Sequence, residues 1–289
     1  MRGLCAAALT LAVMLAPAPG QAHAAPASAL SPAAAEMQRL ALDAYVYLYP
    51  LVSMDLMRRQ AISPKTAQLP GHAAANRFWM QRGQAAGSAW PHADMLRLSA
   101  WLDLSAGPVV ISVPPTQGRL YTLTLHDLWS DAFATVGKRS TGTGRGNYAV
   151  VPPGWMTPLP AGMQRIGAPT PQVWLRGLLQ AGEAGETQQL QDAFILTPLQ
   201  DWNRGAQSMQ LTSDPKLDAT TPVAQLLATM PADAFFSYAA ELLRKTPPHA
   251  IDQPMLARLR RVGVIPGQQF DFARARTMAC SKPCAMPLA

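Results

Sequence analysis

The chain has 289 residues, 49% of them hydrophobic, with 24 Lys+Arg against 17 Asp+Glu and a formal net charge of +7. That content supports a substantial core in one large domain or two small ones. The cations are scattered apart from Arg258, Arg260 and Arg261 and carry no interleaved aromatics. This argues against a nucleic-acid surface, and solubility or attraction to an anionic envelope surface accounts for the charge equally well.

Arg2 followed by the apolar run Leu4 to Ala16, a break at Pro17 to Gly20, and Ala22-His23-Ala24 has the layout of an export signal. Cleavage is expected after Ala24, giving a periplasmic or secreted protein without a transmembrane anchor, because the run is too short to span a bilayer. Cys5 precedes the run and cannot serve as a lipid-anchor cysteine.

Ser31-Pro32 is a helix start, a cap hydroxyl followed by Pro in the first turn. Met37, Leu40, Ala41, Ala44 and Leu48 then recur at helical spacing. Pro50 is expected to interrupt or kink this helix, with Leu51 to Arg59 resuming it. Tyr45, Tyr47 and Tyr49 alternate, a strand-like pattern that weakens the helical signal in the last turn before Pro50. Residues 60–75 read as loop.

From Leu98 the period changes to two. Arg119 to Asp127 is the clearest strand, with Tyr121, Leu123 and Leu125 on one face and Thr122, Thr124 and His126 on the other. Val109 to Val113, Tyr148 to Val151, Met163 to Ile166 and Val173 to Leu179 supply further strands separated by Gly- or Pro-bearing turns. Many of the 27 prolines fall in these breaks, since Pro cannot donate to a ladder. The layout predicts an α+β protein: an antiparallel, jelly-roll-like β-sandwich bracketed by N-terminal and C-terminal helices.

After Pro198 the helical period returns, with starts at Thr221-Pro222, at Pro231 to Asp233 and near Asp252-Gln253-Pro254. Phe235, Phe236, Ala239, Leu242 and Leu243 form an apolar stripe. The last helix carries Met255, Leu256, Leu259 and Val262 and stops at Gly263. The expected organisation is signal peptide 1–24, helical segment and loop 25–75, β-sandwich 76–200, helical segment 201–276 and irregular tail 277–289. In that tail Cys280 and Cys284 read as a local staple, or as nothing, rather than as a redox pair.

The order Ala44-Tyr45-Val46-Tyr47-Leu48-Tyr49-Pro50-Leu51, Asn76-Arg77-Phe78, Trp101-Leu102-Asp103-Leu104, Pro108-Val109-Val110, Arg119-Leu120-Tyr121, Gly137 to Thr143 and Pro153-Gly154-Trp155 resembles the DUF1254 family. The likeness continues through Leu196-Thr197-Pro198-Leu199, Pro247-Pro248-His249 and Pro254 to Leu259. The resemblance implies an exported bacterial protein of unassigned role. Two departures stand out. Where the family has Pro-Asn-x-Asp-Thr-Leu-Tyr, this chain has Pro91-His92-Ala93-Asp94-Met95-Leu96-Arg97. Where it has Gly-Arg after the Trp strand, this chain has Gly177-Leu178, with Arg176 displaced. Relatives also continue into a DUF1214 domain. A further reading is that helices 222–263 cover a sheet which in such relatives packs on that domain, which predicts an exposed apolar patch here and hence a homo-oligomer or poor solubility.

The usual catalytic and metal-binding signatures are absent, so no cofactor or metal is expected. Gly142-Thr143-Gly144-Arg145-Gly146 reads as a tight turn rather than an anion cradle. Asp94, His126 and Asp127 are the candidate acid/base residues. His126 and Asp127 face opposite sides of a strand, so a dyad would need Asp94 across the fold; the competing reading is that Asp94 and Asp127 fix turns. Arg119, Tyr121 and Arg139 are candidate ligand contacts, and Arg119 and Arg139 could equally pair with Asp103, Asp127 or Asp131. Trp101, Trp129, Trp155 and Trp174 are either core or a cleft lining. Together these features predict a non-catalytic envelope binding or assembly module for an unknown small molecule or envelope protein. The alternative is a periplasmic hydrolase acting on an ester or glycan.

Overall fold

The structure, a computed structural model, describes residues 31–81, 94–202, 204 and 217–271. The signal segment, His92, Cys280 and Cys284 lie outside these residues.

Helix α1 (Pro32–Ala61) opens as its sequence dictates: the Ser31 hydroxyl accepts from the Ala34 N–H at 3.2 Å and Pro32 occupies the first turn. Arg58 and Arg59 close it, favourably placed at the negative end of the helix. Pro50 does not interrupt it. A proline leaves the carbonyl four residues earlier without its helical donor. That residue is Val46, 62% exposed, on the side of the helix turned to water. The tyrosine alternation is likewise overridden, because Ala44, Leu48, Leu51, Val52 and Leu56 are all buried at helical spacing.

Among the described residues nine strands form two sheets. The first takes β1 (Trp79–Met80), β2 (Met95–Asp103), β8 (Gln172–Gln180), β4 (Tyr121–His126) and β5 (Ala132–Gly137), in that spatial order. The second takes β7 (Met163–Gly167), β6 (Gly146–Val151), β3 (Val109–Val113) and β9 (Ile195–Pro198). All pairs are antiparallel except β6–β7, which is parallel, so the sandwich is mixed rather than wholly antiparallel. Its core comes from the inward halves of alternating strands: Leu98, Ala100 and Leu102, Tyr121, Leu123 and Leu125, Val173, Leu175 and Leu179, facing Val109, Ile111, Tyr148 and Val150. The expected two-faced pattern of β4 holds, with Tyr121, Leu123 and Leu125 buried and Thr122, Thr124 and His126 partly exposed.

A short helix α2 (Ala184–Asp192) links β8 to β9. Strands β5 and β9 and helix α2 were not legible as elements in the sequence. After β9 come α3 (Val223–Thr229), α4 (Ala232–Lys245) and α5 (Gln253–Arg261), each started by the predicted proline-bearing signal. The α4 stripe is buried as expected, and Gly263 ends the α5 segment at φ 84°. Helices α3, α4 and α5 pack on α1, so the helical layer is built from both ends of the chain. Its core also takes in Trp101, Leu128 and Trp129 from the sandwich. Among the described residues no helix is long and apolar enough to cross a membrane.

Candidate functional site: a basic groove on the open sheet face

The outer face of the five-stranded sheet is only partly covered. At one end Trp101 of β2 and Trp174 of β8, directly paired across the ladder, stack at 5.6 Å between centroids and 10° from parallel. Trp101 is buried in the helical core, while Trp174 is half-buried. Beyond this pair, among the described residues, a groove of about 340 Å³ opens on the sheet.

Strand alternation decides what lines it. Arg97 and Ser99 of β2, Trp174, Arg176 and Leu178 of β8, and Thr122, Thr124 and His126 of β4 share one face. Trp79 of β1, opposite Ser99, adds a second aromatic wall, and Pro70 and Gly71 form a rim. Arg176 pairs with Ser99 and Arg97 with Leu178, which puts the two guanidinium side chains on diagonal neighbours of adjacent strands. The Arg176 guanidinium lies 4.9 Å over the Trp174 ring, and Arg97 Nε donates to Gln81 Oε1 at 3.2 Å. Trp174 Nε1 donates to the Ser99 hydroxyl at 3.1 Å, which fixes the indole plane. His126 is held through Nδ1, which donates to the Ser130 carbonyl at 3.3 Å. No carboxylate lines the groove among the described residues.

The β4–β5 turn next to His126 is tightly specified. Asp127 Oδ1 accepts the Trp129 and Asp131 N–H groups at 2.9 and 3.0 Å, and the Asp127 N–H donates to the Asp131 carbonyl at 2.9 Å. Ser130 takes φ 74°, a left-handed conformation that costs a non-glycine residue about 1 kcal/mol or more. A bulge between Leu125 and His126 starts the turn. Asp127 is fully buried, and burial pushes its carboxyl above the usual carboxylate range. Asp127 thus fixes a turn, as one of the two sequence readings held.

The candidate residues do not converge. Asp94 is exposed at the start of β2, where its carbonyl accepts from Ala181. His126 lies opposite Trp174, and Met95 opposite Gln180, on the same strand. Six residues of strand put them roughly 20 Å apart, so no Asp94–His126 dyad forms. Arg119 pairs with Glu186 of α2 rather than with Asp103, Asp127 or Asp131. Tyr121 points inward, its hydroxyl donating to the Gly142 carbonyl at 3.1 Å, and Arg139 is exposed on the β5–β6 turn. Gly142, at φ 84°, makes that segment a turn, as expected. Of the tryptophans, Trp101 and Trp129 are core, Trp174 lines the groove, and Trp155 covers Gly107 elsewhere on the surface. Arg97, Trp79 and Ser99 were missed. The signal was present in the alternation of Arg97-Leu98-Ser99 and Trp174-Leu175-Arg176, which puts both cations on one face once the two strands are paired.

The architecture is that of a mixed β-sandwich with a helical layer over part of one sheet and a basic groove on the remainder. Residues 75–198 match the sequence model of DUF1254, described as a protein of unknown function. Among solved structures, the fold is similar to the crystal structure of the VPA0106 protein from Vibrio parahaemolyticus. The TM-score is 0.62 at 20% identity, over 84% of this chain and 56% of that one. At that identity the likeness is one of fold. The chain spans little more than half the length of that protein. No curated protein matches.

Proposed function

We propose that this chain is a non-catalytic binding module of the cell envelope whose groove takes a small organic anion with a flat apolar body. The observation that carries this reading is the pair Arg97 and Arg176 on one face of adjacent strands, with no carboxylate lining the groove among the described residues. Guanidinium groups offer a planar fork of donors that matches carboxylate and phosphate. Trp79 and Trp174 supply apolar walls, and Ser99, Thr122 and Thr124 supply neutral polar contacts between them. A volume of about 340 Å³ suits a small molecule. The apolar run Leu4 to Ala16 and the small residues Ala22 and Ala24 support export. The hydrolase alternative draws no support from Asp94, His126 and Asp127, which lie apart or point to different surroundings.

The test is a thermal-shift and tryptophan-fluorescence screen of aromatic and aliphatic carboxylates against the full chain and an Arg97→Ala/Arg176→Ala variant. The reading expects at least one aromatic carboxylate to raise Tm and quench fluorescence, with both effects lost in the variant. Shifts of equal size in the variant, or none from any anion, would sink it.

A further inference from the structure

At the joint between sandwich and helices, apart from the groove, three side chains from distant parts of the sequence meet. Asp127 and Asp131 come from the strained β4–β5 turn. His249 follows Pro247-Pro248, whose fixed backbone dihedrals set where the chain leaves α4. His249 Nε2 is 3.0 Å from Asp127 Oδ2 and 3.6 Å from Asp131 Oδ2, and the three atoms all lie within 4.8 Å of one another.

Asp127 has 0% side-chain exposure, yet Oδ2 has no hydrogen-bond partner, and neither has the buried His249 Nε2 beside it. The two atoms are close without the alignment of an N–H···O bond. Buried polar atoms without partners are rare enough in folded proteins to call for an explanation, and here two of them face each other. Oδ1 of the same carboxylate is fully used by the turn, so the turn geometry itself presents Oδ2 to the cluster. Exposure rises across the site, from 0% at Asp127 through 32% at His249 to 73% at Asp131.

We propose that Asp127, Asp131 and His249 form a binding site for a divalent transition-metal ion of the zinc class. An ion about 2.0–2.2 Å from each donor separates neighbouring donors by roughly 3.0–3.5 Å, and the two distances to His249 Nε2, 3.0 and 3.6 Å, lie at the lower edge and just beyond the upper edge of that range. One imidazole and two carboxylates suit zinc, manganese or iron; calcium and magnesium prefer a full set of oxygens. The ion replaces the missing hydrogen bonds of Oδ2 and Nε2 and ties the β4–β5 turn of the sandwich to the segment between α4 and α5. The exposed side at Asp131 leaves room for water in the remaining positions.

The experiment uses the full chain, stripped with a chelator, and Zn²⁺ as the probe, by calorimetric titration and by thermal unfolding with and without the ion. One ion per chain and a rise in Tm are expected. Asp127→Asn keeps an oxygen for the turn N–H groups and His249→Gln keeps a polar side chain; each is expected to weaken binding at least tenfold and abolish the Tm rise. Asp131→Ala, at an exposed position, serves as the second probe should Asp127→Asn fold poorly, and weakens binding by a similar factor. Absence of stoichiometric binding, or undiminished affinity in both His249→Gln and Asp131→Ala, would overturn the proposal and leave the cluster a plain histidine–carboxylate pair. Loss of anion binding in the groove variant has no bearing on either outcome.

Discussion

Trp101 and Trp174 lie face to face across the β2–β8 ladder, one ring sealed in the helical core and the other forming the wall of the groove. The stack is the point at which the helical core and the groove meet, and the Arg176 guanidinium lies over the same Trp174 ring. A ligand in the groove therefore touches an aromatic surface whose position is set by core packing.

Replacing Trp174 with Ala removes the stack, the cation–π contact and the bond to Ser99 at once. The expected loss is about 2–4 kcal/mol, measured by urea unfolding. Trp174→Phe is expected to recover more than half of it, since the ring face remains while the Nε1 donor is lost.

Asp127 and Asp218 give stability opposite dependences on pH. Burial raises the Asp127 pKa in the folded chain, so its protonated form is favoured there. Its contribution is fully present below the unfolded carboxylate pKa and is lost as pH rises through the folded value. Exposed Asp218 is held down to about 2 by hydrogen bonds from Thr221 and Thr220. Its contribution is present above the unfolded pKa and is lost as pH falls toward about 2. Denaturant midpoints from pH 2 to 8 should show Asp127→Asn gaining on the parent as pH rises and Asp218→Asn closing the gap as pH falls. Asp127→Ala also strands the Trp129 and Asp131 N–H groups, an added cost of about 1–3 kcal/mol relative to Asp127→Asn.

Asp55 ties α1 to α4. It is buried, accepts from Arg58 Nε and an Arg58 terminal nitrogen at 3.0 and 2.7 Å, and accepts a third hydrogen bond from the Tyr238 hydroxyl. Asp55→Ala is expected to cost about 3 kcal/mol, because Tyr238 and Arg58 lose a common buried partner. Tyr238→Phe removes this neutral donor and the acceptor of an Arg59 terminal nitrogen at 2.8 Å, and should cost about 1–2 kcal/mol, leaving the Arg58 pair. Equal losses would show that the tyrosine, not the ion pair, carries the contact.

Gly177 lies in β8 between β2 and β4, directly beneath the groove. A Cβ there meets Leu123 Cδ2 at 2.7 Å and Leu98 Cβ at 3.1 Å. Gly177→Ala is expected to destabilise by about 1–3 kcal/mol. It should also spread β8 from its neighbours, weakening any groove ligand more than Arg97→Lys does; ligand affinities of the two variants decide this.

Elements bounded by proline or glycine and carrying a strict period were legible in the sequence: β3, β4, β8 and the starts of α1, α3, α4 and α5. Strand β5 was not, because its burial is confined to one end and the Leu125/His126 bulge breaks its pairing pattern. Strand β9 lies on a sheet edge with an exposed Ile195, so its pattern is weak. The candidate site was legible in composition but not in assembly. Arg97 and Arg176 are far apart in sequence and share a face only through the β2–β8 register. His249 reaches Asp127 only once the C-terminal helices fold back over the sandwich.

The helical layer draws its two halves from opposite ends of the chain: the Tyr47 hydroxyl of α1 donates to Asp252, 205 residues later. During synthesis at about 5–20 residues per second, α1 waits on the order of 10–40 s before those partners exist. Through that interval Leu48, Leu51, Val52 and Leu56 lack the part of their core that α4 and α5 supply, and have only Trp101, Leu128 and Trp129 of the sandwich from it. The N-terminal helix is thus the first part of the fold to be made and among the last to be sheltered, and it is where a holding chaperone would grip the nascent chain.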